Sequence, residues 1–288
     1  MTTTPPTDGR TPSSHTEADV ARIASIARGM RRDIVQMIAT AGSGHPGGSL
    51  SAADIVASLY FGVMRHDPAN PKWPDRDRFV LSKGHAAPVL YAALAEAGYI
   101  GREHLSTLRV LGSILQGHPD SKKLAGVEVS TGSLGQGLAI SNGLALALRL
   151  DGDVDQRVFC LLGDGEIQEG EVWEAAMSTA HFGLTSVVAI IDENGLQIDG
   201  SCDMVMCLGE IGRKFEAFGW HAVEVDGHDI GQLLDTLTWA AREPHDRPVV
   251  IVAKTTKGKG VSFMEDQAGW HGCAPNAEQT ATALEELA

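Results

Sequence analysis

Residues 157–200, RVFCLLGDGEIQEGEVWEAAMSTAHFGLTSVVAIIDENGLQIDG, read as strand, turn, helix, strand and polar loop without a break. The apolar run 158–162 stops at Gly163-Asp164-Gly165, and a second apolar run, 187–191, stops at Asp192-Glu193-Asn194. Between them, residues 171–181 are amphipathic and long enough to cross back over a sheet. That is a βαβ unit, so its two strands are expected to be parallel neighbours. Both polar clusters then fall at the carboxyl ends of adjacent strands, where open α/β sheets place their ligands.

Working outward, the same punctuation recurs. Upstream, Thr131-Gly-Ser-Leu-Gly-Gln-Gly137 runs into an apolar helix over 138–150, after a short strand expected at 127–129. Residues 79–82 form a short strand that breaks at Lys83-Gly84-His85 before a helix over 86–97. A Gly-rich loop, residues 42–48, precedes a helix over 51–61, and a further loop carries Gly117-His118-Pro119. Thr16-Glu-Ala-Asp19 resembles a capping box, and Val20, Ile23, Ala27, Met30 and Ile34 then share one stripe of a helix that ends near residue 41. Downstream, strands are expected at 221–226 and 248–253 around a helix at 230–242, then a loop 254–260, the motif Gly269-Trp-His-Gly272 and a short closing helix. Residues 1–16, rich in Thr, Pro and Ser with no apolar periodicity, are expected to be a disordered tail. No repeat or linker follows, so residues 17–288 read as one α/β domain with a mostly parallel central sheet and helices on both faces.

Composition narrows the function. A chain of 288 residues can bury a sizeable core, and its net charge of −14 argues against nucleic acid or an anionic membrane as partner. An anionic ligand would need a local site of its own. The four cysteines, Cys160, Cys202, Cys207 and Cys273, lack CxxC spacing and read as free thiols. No run approaches a membrane span and no secretory signal is visible, which points to the cytoplasm.

Three groups of residues could carry chemistry. Asp164 follows five apolar residues and a glycine, so its charge sits at the rim of a buried sheet, where an unpaired carboxylate is costly. Asn194 lies at the matching place after the next strand. An aspartate, an amide oxygen and a main-chain carbonyl make the hard oxygen site that Mg²⁺ prefers, although a helix cap at Asp164 and a turn at Asn194 would explain the same residues. The GSLGQG loop offers bare amides and a helix N-terminus to phosphate, yet matches neither GxGxxG nor the GxxxxGK[ST] pattern, and tight strand-to-helix packing would also use its glycines. His45, His85, His118 and His271 each sit in a loop beside glycine, a set suited to one pocket that binds hydroxyls and moves protons near neutral pH. Zinc is the competing use, but the spacing lacks the i, i+4 pattern of HExxH. The other seven histidines read as surface residues.

Taken together, SGHPGGSLSAADI (residues 43–55), LSKGHA (81–86), TGSLGQG (131–137), GDGEIQEGEVWEA (163–175) and DENGLQIDG (192–200) resemble the diphosphate-binding half of transketolase, in the family's order. The resemblance covers about residues 18–275. It implies the thiamine diphosphate-binding fold, with Asp164, Asn194 and the carbonyl of Leu196 holding Mg²⁺, or Ca²⁺ or Mn²⁺ in its place. It further implies cofactor contacts from His85, Gly132, Ser133, Leu134, Gly135, Gly163, Gly165, Glu166 and His271, besides Asp164 and Asn194. His45, His85, His118 and His271 would line the substrate channel, and Glu169 resembles a glutamate that links two cofactors across an interface. One departure is Glu193-Asn194-Gly195, where the family usually reads Asn-Lys or Asn-Asn; the ligand asparagine is kept.

The family continues into a pyrimidine-binding domain, whose glutamate activates the cofactor, and no glutamate here matches it. The resemblance therefore implies one subunit of a split transketolase, in an α₂β₂ assembly with a partner carrying the pyrimidine half. Together they would move a two-carbon ketol unit between sugars, phosphorylated ones among them. A deoxyxylulose-phosphate synthase, a 2-oxo acid dehydrogenase component and a non-catalytic binding paralogue are the alternatives; GHPGGSL followed by LSKGHA favours transketolase, and the retained Asp164, Asn194 and histidines count against a scaffold.

Overall fold

The computed structural model describes residues 15–152 and 155–288, so the expected tail lies, but for residues 15 and 16, outside the described residues. Five strands, β1 (Arg78–Leu81), β2 (Val158–Gly163), β3 (Val187–Glu193), β4 (His221–Asp226) and β5 (Val249–Lys254), form one sheet in the order β1-β2-β3-β5-β4. Every pairing is parallel. The opening βαβ unit is thus two adjacent central strands in register, with Gly163 opposite Asp192. All five carboxyl ends lie on one edge.

The helices are α1 (Glu17–Ala41), α2 (Pro46–Ser51), α3 (Ala53–Ser58), α4 (Ala87–Glu96), α5 (Gln136–Asp151), α6 (Gly170–His181), α7 (Cys202–Met206), α8 (Ile211–Ala217), α9 (Ile230–Arg242) and α10 (Ala277–Glu286). Strands covered on both faces read as continuous apolar runs, and VFCLLG, VVAIIDE and VVIVAK do so. Alternate residues divide between two cores. Phe159, Leu161, Val188, Ile190 and Ile251 join α1, α3, α4 and α9 on one face. Cys160, Leu162, Ala189, Ile191 and Val252 join α5, α6 and α8 on the other.

The first helix begins at the expected capping box, with Thr16 and Asp19 each bonding the other's backbone, and stops at Gly42 in the left-handed conformation at φ +61°. The helix expected over 51–61 starts earlier, because Pro46 at its first turn is pre-set for helical φ and needs no donor there. Residues 127–129 are not a strand. Arg76 binds Glu128 through two 2.8 Å bonds and Thr131 Oγ1 donates to Leu81 O at 2.7 Å, so side chains fasten this segment beside β1 without a ladder. All four cysteines are free thiols, with Cys160 and Cys202 buried. Among the described residues no helix is long and apolar enough to cross a membrane.

Candidate active site

A buried charge cluster lies where the strands end. Asp192, near the end of central β3, is wholly buried and accepts from Lys83 Nζ, from Thr255 Oγ1 and, at 2.6 Å, from Ser51 Oγ. Burial alone would raise its pKa, but the Lys83 ammonium and these donors hold it below the usual carboxylate value. Lys83 also donates to Gly48 O at 2.9 Å, which ties the exit of β1 to the first turn of α2. Lys83 therefore joins the two loops that carry His45 and His85.

Glu166 is a second clasp. Its buried carboxylate accepts from Ser82 Oγ at 2.5 Å and from the amides of Gly135 and Gly163, each at 3.0 Å. Glu166, expected as a cofactor contact, fastens the GSLGQG loop to the GDG turn, with both of its oxygens taking bonds within the chain. The N–H groups of Gly135 and Gly163 donate inward to it, and Gly165 N donates to Asp164 Oδ1 at 2.7 Å. Gly132, Ser133 and Leu134 form the outer part of the loop, with Ser133 and Leu134 exposed. Glycine is needed at Gly84, where a Cβ would lie 2.7 Å from both Gly132 N and Thr131 Oγ1.

Asp164 is 3% exposed, and its remaining oxygen accepts from Gly195 N at 2.5 Å. Burial, and then Asp192, raise its pKa to about 6 against the pull of these amides. A carboxylate so poorly compensated fits a site for a cation. Asn194 stands beside it, its amide nitrogen 3.4 Å from Asp192 Oδ2 and its oxygen accepting from Leu196 N at 3.2 Å. The carbonyl of Leu196 accepts from Lys257 Nζ at 3.0 Å, so the structure gives this expected metal ligand a lysine ammonium as partner. Burial, and then Lys83, lower the Lys257 pKa to about 8. Among the described residues no three His, Cys, Asp or Glu side chains are grouped to hold a metal ion; the oxygen set here draws on an amide and a carbonyl.

Three of the four singled-out histidines meet. The rings of His45, His85 and His271 lie 5.2–5.6 Å apart, centre to centre, with His85 and His271 stacked. His118 stands at the exposed rim, where a Cβ on Gly132 would be 3.0 Å from its ring. Lys257 Nζ is 3.0 Å from His271 Nδ1, and Arg109 reaches His45 Nδ1 at 3.3 Å. Burial first, then the neighbouring cations Arg109, Lys83 and Lys257, lower His45 to about 4, His85 to about 2 and His271 to about 3. These shifts favour neutral imidazoles amid cations that suit an anionic ligand. Below the ordinary value of 6.5 the unfolded chain binds protons that the folded chain refuses. Stability from these groups is complete above 6.5 and drains away as pH falls towards 4. A thermal melting series from pH 7.5 to 4.5 checks this, and His85→Gln is expected to flatten the slope.

Lys83, Asp192, Lys257 and Arg109 were not legible as site residues, because a lysine in a loop or an acid at a strand end is usually solvated. For Lys83, Asp192 and Lys257, a position just after an apolar run was the available signal; Arg109 had none. His228, expected at the surface, has a side chain only 14% exposed and bonds Asp54. Glu169 is exposed beside Gly135, free to meet another chain.

A parallel sheet whose carboxyl edge gathers cations, neutral imidazoles and an oxygen cluster defines an α/β domain built to hold an anionic ligand. The chain belongs to the transketolase, thiamine diphosphate binding domain family, whose sequence pattern matches residues 21–288. It is 45% identical over 247 residues to transketolase-like protein 2 of Bos taurus, covering 86% of this chain and 39% of that protein. It is 42% identical over 260 residues to one of the subunits named for the apulose-4-phosphate transketolase of Phocaeicola vulgatus, covering 89% of this chain and 90% of that polypeptide. The fold matches transketolase from Campylobacter jejuni with a TM-score of 0.86 at 34% identity, over 95% of this chain and 43% of that one. The chain thus spans well under half of the long relatives and nearly all of the short one.

Proposed function

We propose that this chain is the diphosphate-binding subunit of a transketolase that moves a two-carbon ketol unit from a ketose to an aldose. The observation that carries the reading is the meeting, at one sheet edge, of the Asp164, Asn194 and Leu196 oxygens with His45, His85 and His271. When bound, thiamine diphosphate supplies the nucleophilic carbon and electron sink that ketol cleavage needs. Asp164, the Asn194 amide oxygen and the Leu196 carbonyl would hold Mg²⁺, or Ca²⁺ or Mn²⁺, with Lys257 turning from the carbonyl to the diphosphate. His85 and His271 would contact the cofactor, while His45 and His118 would hold sugar hydroxyls as neutral donors and acceptors. Arg109 fixes the His45 ring by donating to its Nδ1.

The same reading places the pyrimidine half, with its activating glutamate, on a separate chain in an α₂β₂ assembly in the cytoplasm. Support comes from the near-complete match to a relative whose name makes it one subunit of a transketolase, and from Glu169 and the apolar side chains of Ile198, Met204 and Met206, 59–86% exposed. Sugar phosphates are the proposed substrates. Two-carbon transfer between a ketose and an aldose by the purified chain, with and without a pyrimidine-half partner, tests this. Activity is expected only from the mixture, and full turnover by the single chain would overturn the split assignment.

A further inference from the structure

We propose that His228 is a positioning residue that fixes the turn 255–257, and through it the Lys257 ammonium, at the diphosphate side of the site. The inference rests on the thiamine diphosphate reading given above. His228 follows β4 just before Asp229, which caps α9. Its imidazole bridges two parts of the chain: Nδ1 lies 2.8 Å from Asp54 Oδ2 on α3, and Nε2 lies 2.8 Å from the main-chain nitrogen of Thr256. A main-chain N–H can only donate, so Nε2 is the bare nitrogen and Nδ1 carries the proton that is given to Asp54.

Behind the histidine the support is firm. Asp54 is buried and takes two bonds from Arg31 of α1, at 2.9 and 2.6 Å, and Arg31 Nε donates to Leu50 O at 3.3 Å. In front of it, the two residues flanking Thr256 reach into the site: Thr255 Oγ1 donates to Asp192, and Lys257 Nζ meets the Leu196 carbonyl and His271. On the flank where His228 stands, the turn borders a cavity of about 640 Å³ lined by Gln232, Lys254, Thr255, Thr256 and Lys259. The imidazole, which also lines this open groove, is therefore a strut running from the core ion pair to the one amide between two site residues. A residue that merely filled space would need neither nitrogen.

Two substitutions separate these roles, because an asparagine amide reaches about where Nδ1 sits and a glutamine amide about where Nε2 sits. His228→Asn keeps a donor for Asp54 and removes the acceptor for Thr256; His228→Gln does the reverse. In the full chain without ligand, hydrogen exchange at the Thr256 amide is expected to speed up about 10-fold or more in His228→Asn and to stay near wild type in His228→Gln. With the partner present, the concentration of thiamine diphosphate giving half-maximal activity, at saturating Mg²⁺, is expected to rise about 10-fold in His228→Asn with kcat unchanged, and to recover in His228→Gln. Unchanged protection of Thr256 in His228→Asn overturns the proposal, as does an equal effect of both variants. If wild type binds no thiamine diphosphate, the functional reading fails while the exchange experiment still decides whether the strut exists.

Discussion

Asp164→Ala is expected to abolish Mg²⁺-dependent binding of thiamine diphosphate by the assembled enzyme and to leave the fold intact. Burial pushes the Asp164 pKa up to about 6, and its strongest partners are two main-chain amides, so the fold depends only modestly on its charge. Those amides belong to Gly165 and Gly195, which reach solvent and can take water in place of the carboxylate. The stability loss should stay near about 1 kcal/mol, the usual size for a single substitution. Binding should weaken by more than about 100-fold, beyond what the outer partners of a metal ligand supply. Calorimetric titration with Mg²⁺ and cofactor measures this; unchanged affinity in a folded variant would refute the metal assignment.

Asp192→Ala acts on the fold itself. Removing this carboxylate leaves the Lys83 ammonium, 2% exposed, without its counter-charge, and strands the hydroxyls of Ser51 and Thr255. Breaking one side of such a pair costs about 3–5 kcal/mol, a large share of the stability of most domains. Urea unfolding should show the midpoint falling by a corresponding amount. The paired replacement Lys83→Met with Asp192→Leu should recover much of the loss, since apolar side chains of similar size often replace a buried ion pair without penalty. A single variant within about 1 kcal/mol of wild type would show that the pair does not hold this edge of the sheet.

The arrangement of the sheet was legible in the sequence because its signals are local. Apolar runs of five or six residues ending in Gly-Asp-Gly or Asp-Glu-Asn mark strand ends, and the short connections leave few ways to join them. Asp164, Asn194, His45, His85 and His271 could be singled out because glycine-rich loops at strand ends are where ligands bind, and the structure brings the three histidines together. Lys83, Asp192 and Lys257 could not, because what makes them matter is burial beside residues 14 to 109 positions away. Periodicity carries no information about such pairs. The same limit hid the clasp that Glu166 forms, and it misread His228, whose two partners lie on α3 and after β5. The strand expected at 127–129 failed for the opposite reason: local β propensity was present, but side-chain bonds took over the attachment.

The Glu166 clasp has a consequence for the timing of assembly. With one carboxylate already gripping Ser82, Gly135 and Gly163, the loop that would cradle a diphosphate is set in shape before any ligand arrives. The entropy of ordering that loop is then charged to folding and not to association, so a ligand meets a rigid half-mould. Half a mould favours neither fast capture nor long residence until its other side closes. If the proposed partner closes that side, it governs both how readily the cofactor is captured and how long it stays.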